Sequence, residues 1–199
     1  MRPSRSCILL VIAMVGAFAQ AGQYERPANE PEQSVALIRN LYSQVVSRHP
    51  IGVISGADMN VFGPYLSRPL RHRIDLAAGC EADFYRKYPQ KDLKPPLAWL
   101  ELGLFSGGDE MAAPSAFLVE RTRPVKQGVV RVYVMLTHAE TNAPDWTRPV
   151  AVEVAREEGR YVVEDVIYLK GKDNRSDVWL SKVLAAGCNR GHWVGDGRR

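Results

Sequence analysis

Cysteine and histidine are scarce in this chain of 199 residues, which holds three of the first and four of the second. Two cysteines beyond position 7 cannot supply the four ligands of a structural zinc site, so no metal is expected. Net charge is also low: 26 lysines and arginines against 22 acids leave +4. The densest basic stretch, Arg68 to Arg73, lacks the interleaved aromatics of a nucleic-acid surface, which excludes that class of partner. Only one long apolar run is present, Ile8 to Ala17. It falls short of the roughly 20 residues that span a bilayer. Phosphate loops and nucleophile elbows are missing too. Ser106-Gly107-Gly108 has no downstream Lys and Ser/Thr, and neither Ser55-Gly56 nor Ser106-Gly107 sits in a Gly-x-Ser-x-Gly string. No cofactor is expected.

What is present starts with an export signal. Arg2 and Arg5 precede the apolar run, and Ala17-Phe18-Ala19 offers small residues at the spacing of a cleavage site, with Ala19-Gln20-Ala21 as the alternative. The expected layout is a signal peptide over residues 1–19 (or to 21), a loose leader over 20–31, one domain over 32–194 and a disordered tail over 195–199. The expected location is periplasmic or secreted, with no stable membrane span after cleavage. Cys7 leaves with the signal, so Cys80 and Cys188 remain, an even number for an oxidising compartment.

Both cysteines end the string Leu-Ala-Ala-Gly-Cys, at 76–80 and 184–188. The flanks differ, Arg-His-Arg-Ile-Asp before one and Trp-Leu-Ser-Lys-Val before the other, so the string is not a repeat. Both copies lie too far inside the chain for lipid attachment. A Cys80–Cys188 disulfide or two free thiols remain. The disulfide would contribute roughly 4–5 kcal/mol in the chain-entropy picture for so long a loop. The small residues beside each cysteine would then let two helices approach closely.

Periodicity divides the rest. A helix is expected from Glu30 to Arg48, with Asn29 and Glu32 as a capping pair and Val35, Ile38, Tyr42, Val45 and Val46 on one face. A second runs from Pro69 to Lys87, with a stripe that includes Leu70, Ile74, Ala77 and Phe84. Residues 89–113 combine Pro and Gly with Trp99, Leu100, Leu102, Leu104 and Phe105; a loop so apolar is packed or functional. The period then changes to two, giving strands at 116–123, 129–138, 148–156 and 160–169, with Glu157-Glu158-Gly159 as a hairpin turn. A last helix over 176–186 places Leu180, Val183, Leu184 and Cys188 on one side. The fold class is α+β.

The run Pro64-Tyr65-Leu66-Ser67-Arg68-Pro69-Leu70, the loop at Gly107-Gly108-Asp109 and the strand Gly159-Arg160-Tyr161-Val162-Val163-Glu164-Asp165-Val166-Ile167-Tyr168 resemble the exported DUF3828 group. That group is similar to the NTF2-like (cystatin-like) superfamily. The resemblance covers residues 34–170. It implies a curved antiparallel sheet of about four strands packed against N-terminal helices, closed here by a C-terminal helix, and an exported location. It implies no activity.

Enzymes of that wider fold place an acid and a hydrogen-bond donor between helices and sheet. The candidates for a pocket or site here are Tyr65, Trp99, Phe105, Tyr133, His138, Asp165 and Tyr168. Strict alternation puts Asp165 on one face with Tyr161, Val163 and Ile167, and Glu164 on the other with Val162, Val166 and Tyr168. Asp165 reads either as a structural anchor or as a base with a raised pKa. His138 reads as a solvated histidine at a strand end. Trp99 and Phe105 read as core plugs or as the lining of an apolar pocket, and Asp109-Glu110 as an exposed turn rather than a cation loop. With no assembled catalytic set, no catalytic residues are assigned. The chain reads as an exported binding protein for a small apolar ligand or an envelope protein, monomeric or homodimeric. A small-molecule isomerase, dehydratase or hydrolase using a half-buried acid is the alternative, and an immunity or inhibitor protein the second.

Overall fold

The computed structural model describes residues 30–90, 93–108, 113–139, 145–169 and 176–195. The expected signal peptide and most of the expected leader, the expected Asn29 cap, Asp109-Glu110 and positions 196–199 of the expected tail lie outside the described residues.

Helix α1 (Glu30–Arg48) buries Ser34, Ile38, Leu41, Tyr42 and Val45, a stripe at steps of three and four that the 3.6-residue period gathers on one side. Its chain turns off at His49, whose backbone is left-handed (φ 49°) and whose N–H still bonds to Val45 O at 2.9 Å. A short helix, α2 (Gly56–Phe62), follows and inserts Phe62 into the core. A 3-10 turn at Gly63–Tyr65 leads to α3 (Arg68–Lys87). Ser67 caps α3 through the Leu70 N–H at 3.2 Å, a proline occupies the first turn, and Arg86 and Lys87 face the negative end of the helix dipole.

Five antiparallel strands follow one another across a single sheet: β1 (Ala116–Lys126), β2 (Val129–His138), β3 (Trp146–Glu157), β4 (Arg160–Tyr168) and β5 (Val178–Trp179). The β3–β4 turn needs φ > 0 at both central residues, which Glu158 (51°) and Gly159 (84°) supply. Strand β1 is an edge, and two bulges together with Pro124, Arg121 and Arg123 discourage pairing with another chain. The other edge is covered in halves, by β5 against Ile167–Tyr168 and by the segment at Leu66, whose neighbour Ser67 donates to Val163 O at 2.9 Å. The sheet is thus one strand wider than expected, because Val178–Trp179 pairs with β4 instead of opening the last helix. That helix, α4 (Leu180–Ala185), is correspondingly short.

The inner face carries Val130, Val132, Val134 and Leu136, then Val150, Val152 and Val154, then Val163 and Val166, all 4% exposed or less and all packed with α1, α2 and α3 in one core. A bulge in β4 sets which residues of that strand join them. Val154 pairs with Val163 but Glu153 pairs with Asp165, so Glu164 is an extra residue. The alternation inferred from sequence is corrected on this point. Tyr161 and Val163 share the inner face with Val166 and Tyr168, whereas Val162 joins Asp165 and Ile167 outside.

The chain's end is clasped onto α3. Cys188 lies not on a helix but in a small hairpin, β6 (Cys188–Asn189) and β7 (His192–Trp193), and bonds to Cys80 with the Cα atoms 5.9 Å apart. What approaches closely is therefore a helix and a hairpin. A Cβ on Gly79 would stand 3.3 Å from Gly191 O. Among the described residues no helix is long and apolar enough to cross a membrane.

Candidate functional site

The space between helices and sheet is filled from within by residues 97–108. Trp99, Leu104 and Phe105 are fully buried, and Phe105 packs on Phe62 with ring centroids 5.1 Å apart. The loop is pinned by polar contacts to its backbone. Tyr42 donates its hydroxyl to Phe105 O at 2.9 Å, Tyr168 donates to Leu104 O at 2.7 Å, and Arg148 donates to Gly107 O. Burial pushes the pKa of both tyrosines up, so both phenols stay protonated and serve as donors. Gly107 (φ 70°) lies flat under Tyr168; a Cβ there would stand 2.6 Å from the ring.

Five of the seven sequence candidates belong to this packed side. Trp99 and Phe105 are core, Tyr168 holds the loop, and Tyr65 is half-buried against the core from the 3-10 turn. His138 is no solvated loop residue. It is 1% exposed and stacks on Trp146 at 3.9 Å with the rings 7° from parallel. The reason is parity: His138 continues the inward row of Val132, Val134 and Leu136 by one more step.

The other two candidates, Tyr133 and Asp165, are on the outer face. Residues Arg123, Arg131, Glu153 and Asp165 stand as successive cross-strand partners on β1 to β4 and form a charged row across that face. One row along, Tyr133 stacks under Arg121, whose guanidinium carbon is 4.3 Å from the ring centroid. Arg131 bonds to Glu153 at 2.7 Å with both side chains largely buried, and reaches past the small Ala151 to the Trp179 ring, 5.6 Å away. This arrangement covers an outer surface on which Ala151, Val162 and Ile167 are themselves buried.

Asp165 is 7% exposed. Its Oδ1 accepts from the N–H of Val166 (2.9 Å) and from the N–H of Ser181 in α4 (3.0 Å). Burial raises its pKa, and the donors of Ser181 and Val166 together with the charge of Arg73 oppose that rise without cancelling it. Beside it opens a half-enclosed pocket of about 230 Å³, with Asp165 and Glu153 on its floor and Pro69, Arg73, Lys126, Glu164 and Ser181 around it. Pro69 and Arg73 share one side of α3 by their i, i+4 spacing. Lys126 reaches Glu164 at 3.5 Å, a pairing that the bulge makes available by turning Glu164 out of the regular ladder. Chemically, the pocket offers a carboxyl that is costly to ionise, a second carboxylate already balanced by Arg131, and cations at the mouth. Such a site can hold an ammonium or exchange a proton. No group of three or more His, Cys, Asp and Glu among the described residues is placed to hold a metal ion.

Sequence reasoning reached Asp165 but not Arg73, Lys126, Glu153 or Ser181. Arg131 and Glu153 occupy outward positions of adjacent strands, and fixing the β2–β3 register would have paired them. Nothing in the sequence marks the Glu164 bulge or brings α4 to Asp165.

No family model, no curated protein and no solved structure matches this chain.

Proposed function

We propose that this chain is an exported, non-catalytic binding protein of NTF2-like build, related to the DUF3828 group, whose working surface is the outer face of its sheet. The observation that carries this reading is the filled interior. Trp99, Leu104 and Phe105 occupy the place where a ligand or substrate would enter such a fold, and the hydroxyls of Tyr42 and Tyr168 are spent holding them there. Recognition therefore moves to the outer face of the sheet, where Tyr133, Arg121, Trp179 and the Asp165 pocket at its α3–α4 edge combine aromatic surface with charge. The Cys80–Cys188 pair and the N-terminal segment support an oxidising compartment.

A second reading, an enzyme using Asp165 as acid or base, has the raised pKa of that residue in its favour. Against it, Tyr168 and His138 lie on the opposite face and give Asp165 no partner from that set.

The deciding experiment is native mass spectrometry of protein isolated from its own cell envelope, followed by denaturation without reductant and photo-crosslinking from position 133. We expect an added mass that denaturation releases, a denatured mass fitting cleavage near Ala19 or Ala21 less two hydrogens, and cross-links from 133 but not from the exposed α1 position 39. A bare chain that gives no cross-link from 133 rejects the reading.

A further inference from the structure

Two ionisable groups of opposite sign line the outer pocket, and neither has an ion-pair partner within 4 Å among the described residues. Asp165, nine-tenths buried on the floor, has no lysine, arginine or histidine nitrogen within 4 Å among the described residues. Arg73, exposed on α3, has no carboxylate of the described residues within that distance either, yet is near enough for its charge to act on Asp165. The remaining charges are already matched, Glu153 by Arg131 and Glu164 by Lys126. Asp165 accepts two backbone N–H bonds on Oδ1 and is also hydrogen-bonded by the Ser181 side chain, all of them neutral donors, so a carboxylate with about four acceptor positions still has room for a charged one. A buried carboxylate without a counter-charge is costly to keep, and in this pocket the missing charges are one cation at the floor and one anion at the mouth.

A single small molecule carrying both would complete the site. The volume of about 230 Å³ is below the roughly 300–1,000 Å³ of pockets that take drug-sized ligands. We propose that this pocket binds a small zwitterion of the size of a free amino acid, its ammonium against Asp165 and its carboxylate against Arg73. This inference rests on the binding-protein reading and gives it a ligand class. The two charges must be satisfied together. An amine alone leaves Arg73 unmatched at the mouth, and an acid alone has nothing to offer a floor that is already acidic. Pro69 forms a rigid apolar wall beside Arg73, against which a short aliphatic side chain can lie. Arg73 from α3, Lys126 from β1, Glu153 from β3, Glu164 from β4 and Ser181 from α4 face Asp165 across the pocket, so an arriving ammonium alters the field at Asp165 directly and draws it into its ionised form.

The test uses the mature oxidised protein, labelled for amide NMR, with each common amino acid added singly to about 5 mM, a range that reveals millimolar binding. The best binder is then compared with its decarboxylated amine and its deaminated acid. We expect at least one amino acid to shift the amides of Asp165, Val166 and Ser181, with the amine and the acid each weaker by about tenfold or more. Asp165→Asn and Arg73→Gln should each lower affinity by a similar factor, and Arg39→Gln on α1 should leave it unchanged. Arg73 is exposed, so its variant reports even if the Asp165 variant folds poorly. The proposal is overturned if no amino acid shifts those amides, if the amine alone binds as tightly as its parent, or if Arg73→Gln is silent. Should amino acids fail while envelope-isolated protein still carries an added mass or cross-links from position 133, the zwitterion site falls and the binding-protein reading stands.

Discussion

A single carboxyl illustrates how burial and hydrogen bonding compete at the residue scale. Asp165 keeps two backbone donors on one oxygen, which favours its anion, yet burial dominates and raises its pKa above the ordinary 3.8. The folded protein therefore holds this proton more tightly than the unfolded chain does. By linkage, what Asp165 adds to stability is fully present below 3.8 and is lost as pH rises through its folded value. Asp165→Asn keeps an oxygen for the Val166 and Ser181 N–H groups and removes the ionisation. Urea titrations of the ligand-free protein should place the variant level with the wild type near pH 3.5, with its advantage growing toward pH 7. A variant less stable than wild type at pH 7 would show that the carboxylate, rather than its hydrogen-bonding shape, is what the fold needs there.

At the scale of elements, β4 accommodates one surplus residue in a bulge. Without the bulge, the run Val162 to Tyr168 would alternate strictly, and either the valines before Glu164 or those after it would face the wrong way. With it, Val163 and Val166 both enter the core while Asp165 turns out beside Glu153. Deleting Glu164 should thus be tolerated by the ladder. Val163 would still face Val154, Asp165 would still face Glu153 and Val166 would still face Val152, now in regular order. An alanine inserted after Val152 in β3 shifts one half of that strand against both neighbours and turns inward valines outward. We expect the deletion to retain a cooperative unfolding transition and native far-UV circular dichroism, and the insertion to lose both; the reverse ranking would mean that the bulge holds the strand pairing together.

The same bulge marks where the sequence stops being legible. Long periodic segments were readable: α1, α3 and the first four strands follow from apolar spacing, with ends displaced by at most a few residues. Helix α2 escaped because its seven residues start at a glycine and bury only Phe62, too little for a period to register. Cys188 looked helical because Leu180, Val183 and Leu184 set a spacing that Ala186 and the left-handed Gly187 then break. The core role of Trp99 and Phe105 was one of two open readings, and only the hydroxyls of Tyr42 and Tyr168, contributed from more than 60 residues away along the chain, decide it. The outer pocket draws on β1, β3, β4, α3 and α4, and tertiary register of that kind leaves no local trace.

For the whole molecule, the clasp between α3 and the terminal hairpin ties the last described segment to the second half of the helical layer. Cys80–Cys188 closes the covalent link across 108 positions, and Asp83, one turn further along α3, repeats it without covalency. Asp83 accepts from Trp193 N–H at 3.0 Å and lies 2.9 Å from Lys87 Nζ, which itself donates to Trp193 O at 3.2 Å; Trp193 meets Phe84 edge-on at 5.1 Å. The hydrogen bond from Lys87, aided by Trp193 and Arg86 and opposed by burial, holds the Asp83 carboxyl well below its ordinary 3.8. Its contribution is thus present above that value and is lost as pH falls below it toward the folded pKa. Because disulfide and carboxylate restrain one hairpin, their effects should not add. Replacing both cysteines by serine should cost about 2–5 kcal/mol, and Asp83→Asn should destabilise the oxidised protein. In the cysteine-free background, where the hairpin is already free to leave α3, Asp83→Asn should cost distinctly less. A double-mutant cycle by urea unfolding at pH 7, with the Trp193 indole N–H resonance reporting hairpin release, measures that coupling. Strict additivity would mean that the hairpin stays docked without its disulfide, held by its other contacts to α3 such as the Lys87–Trp193 hydrogen bond and the Phe84–Trp193 packing.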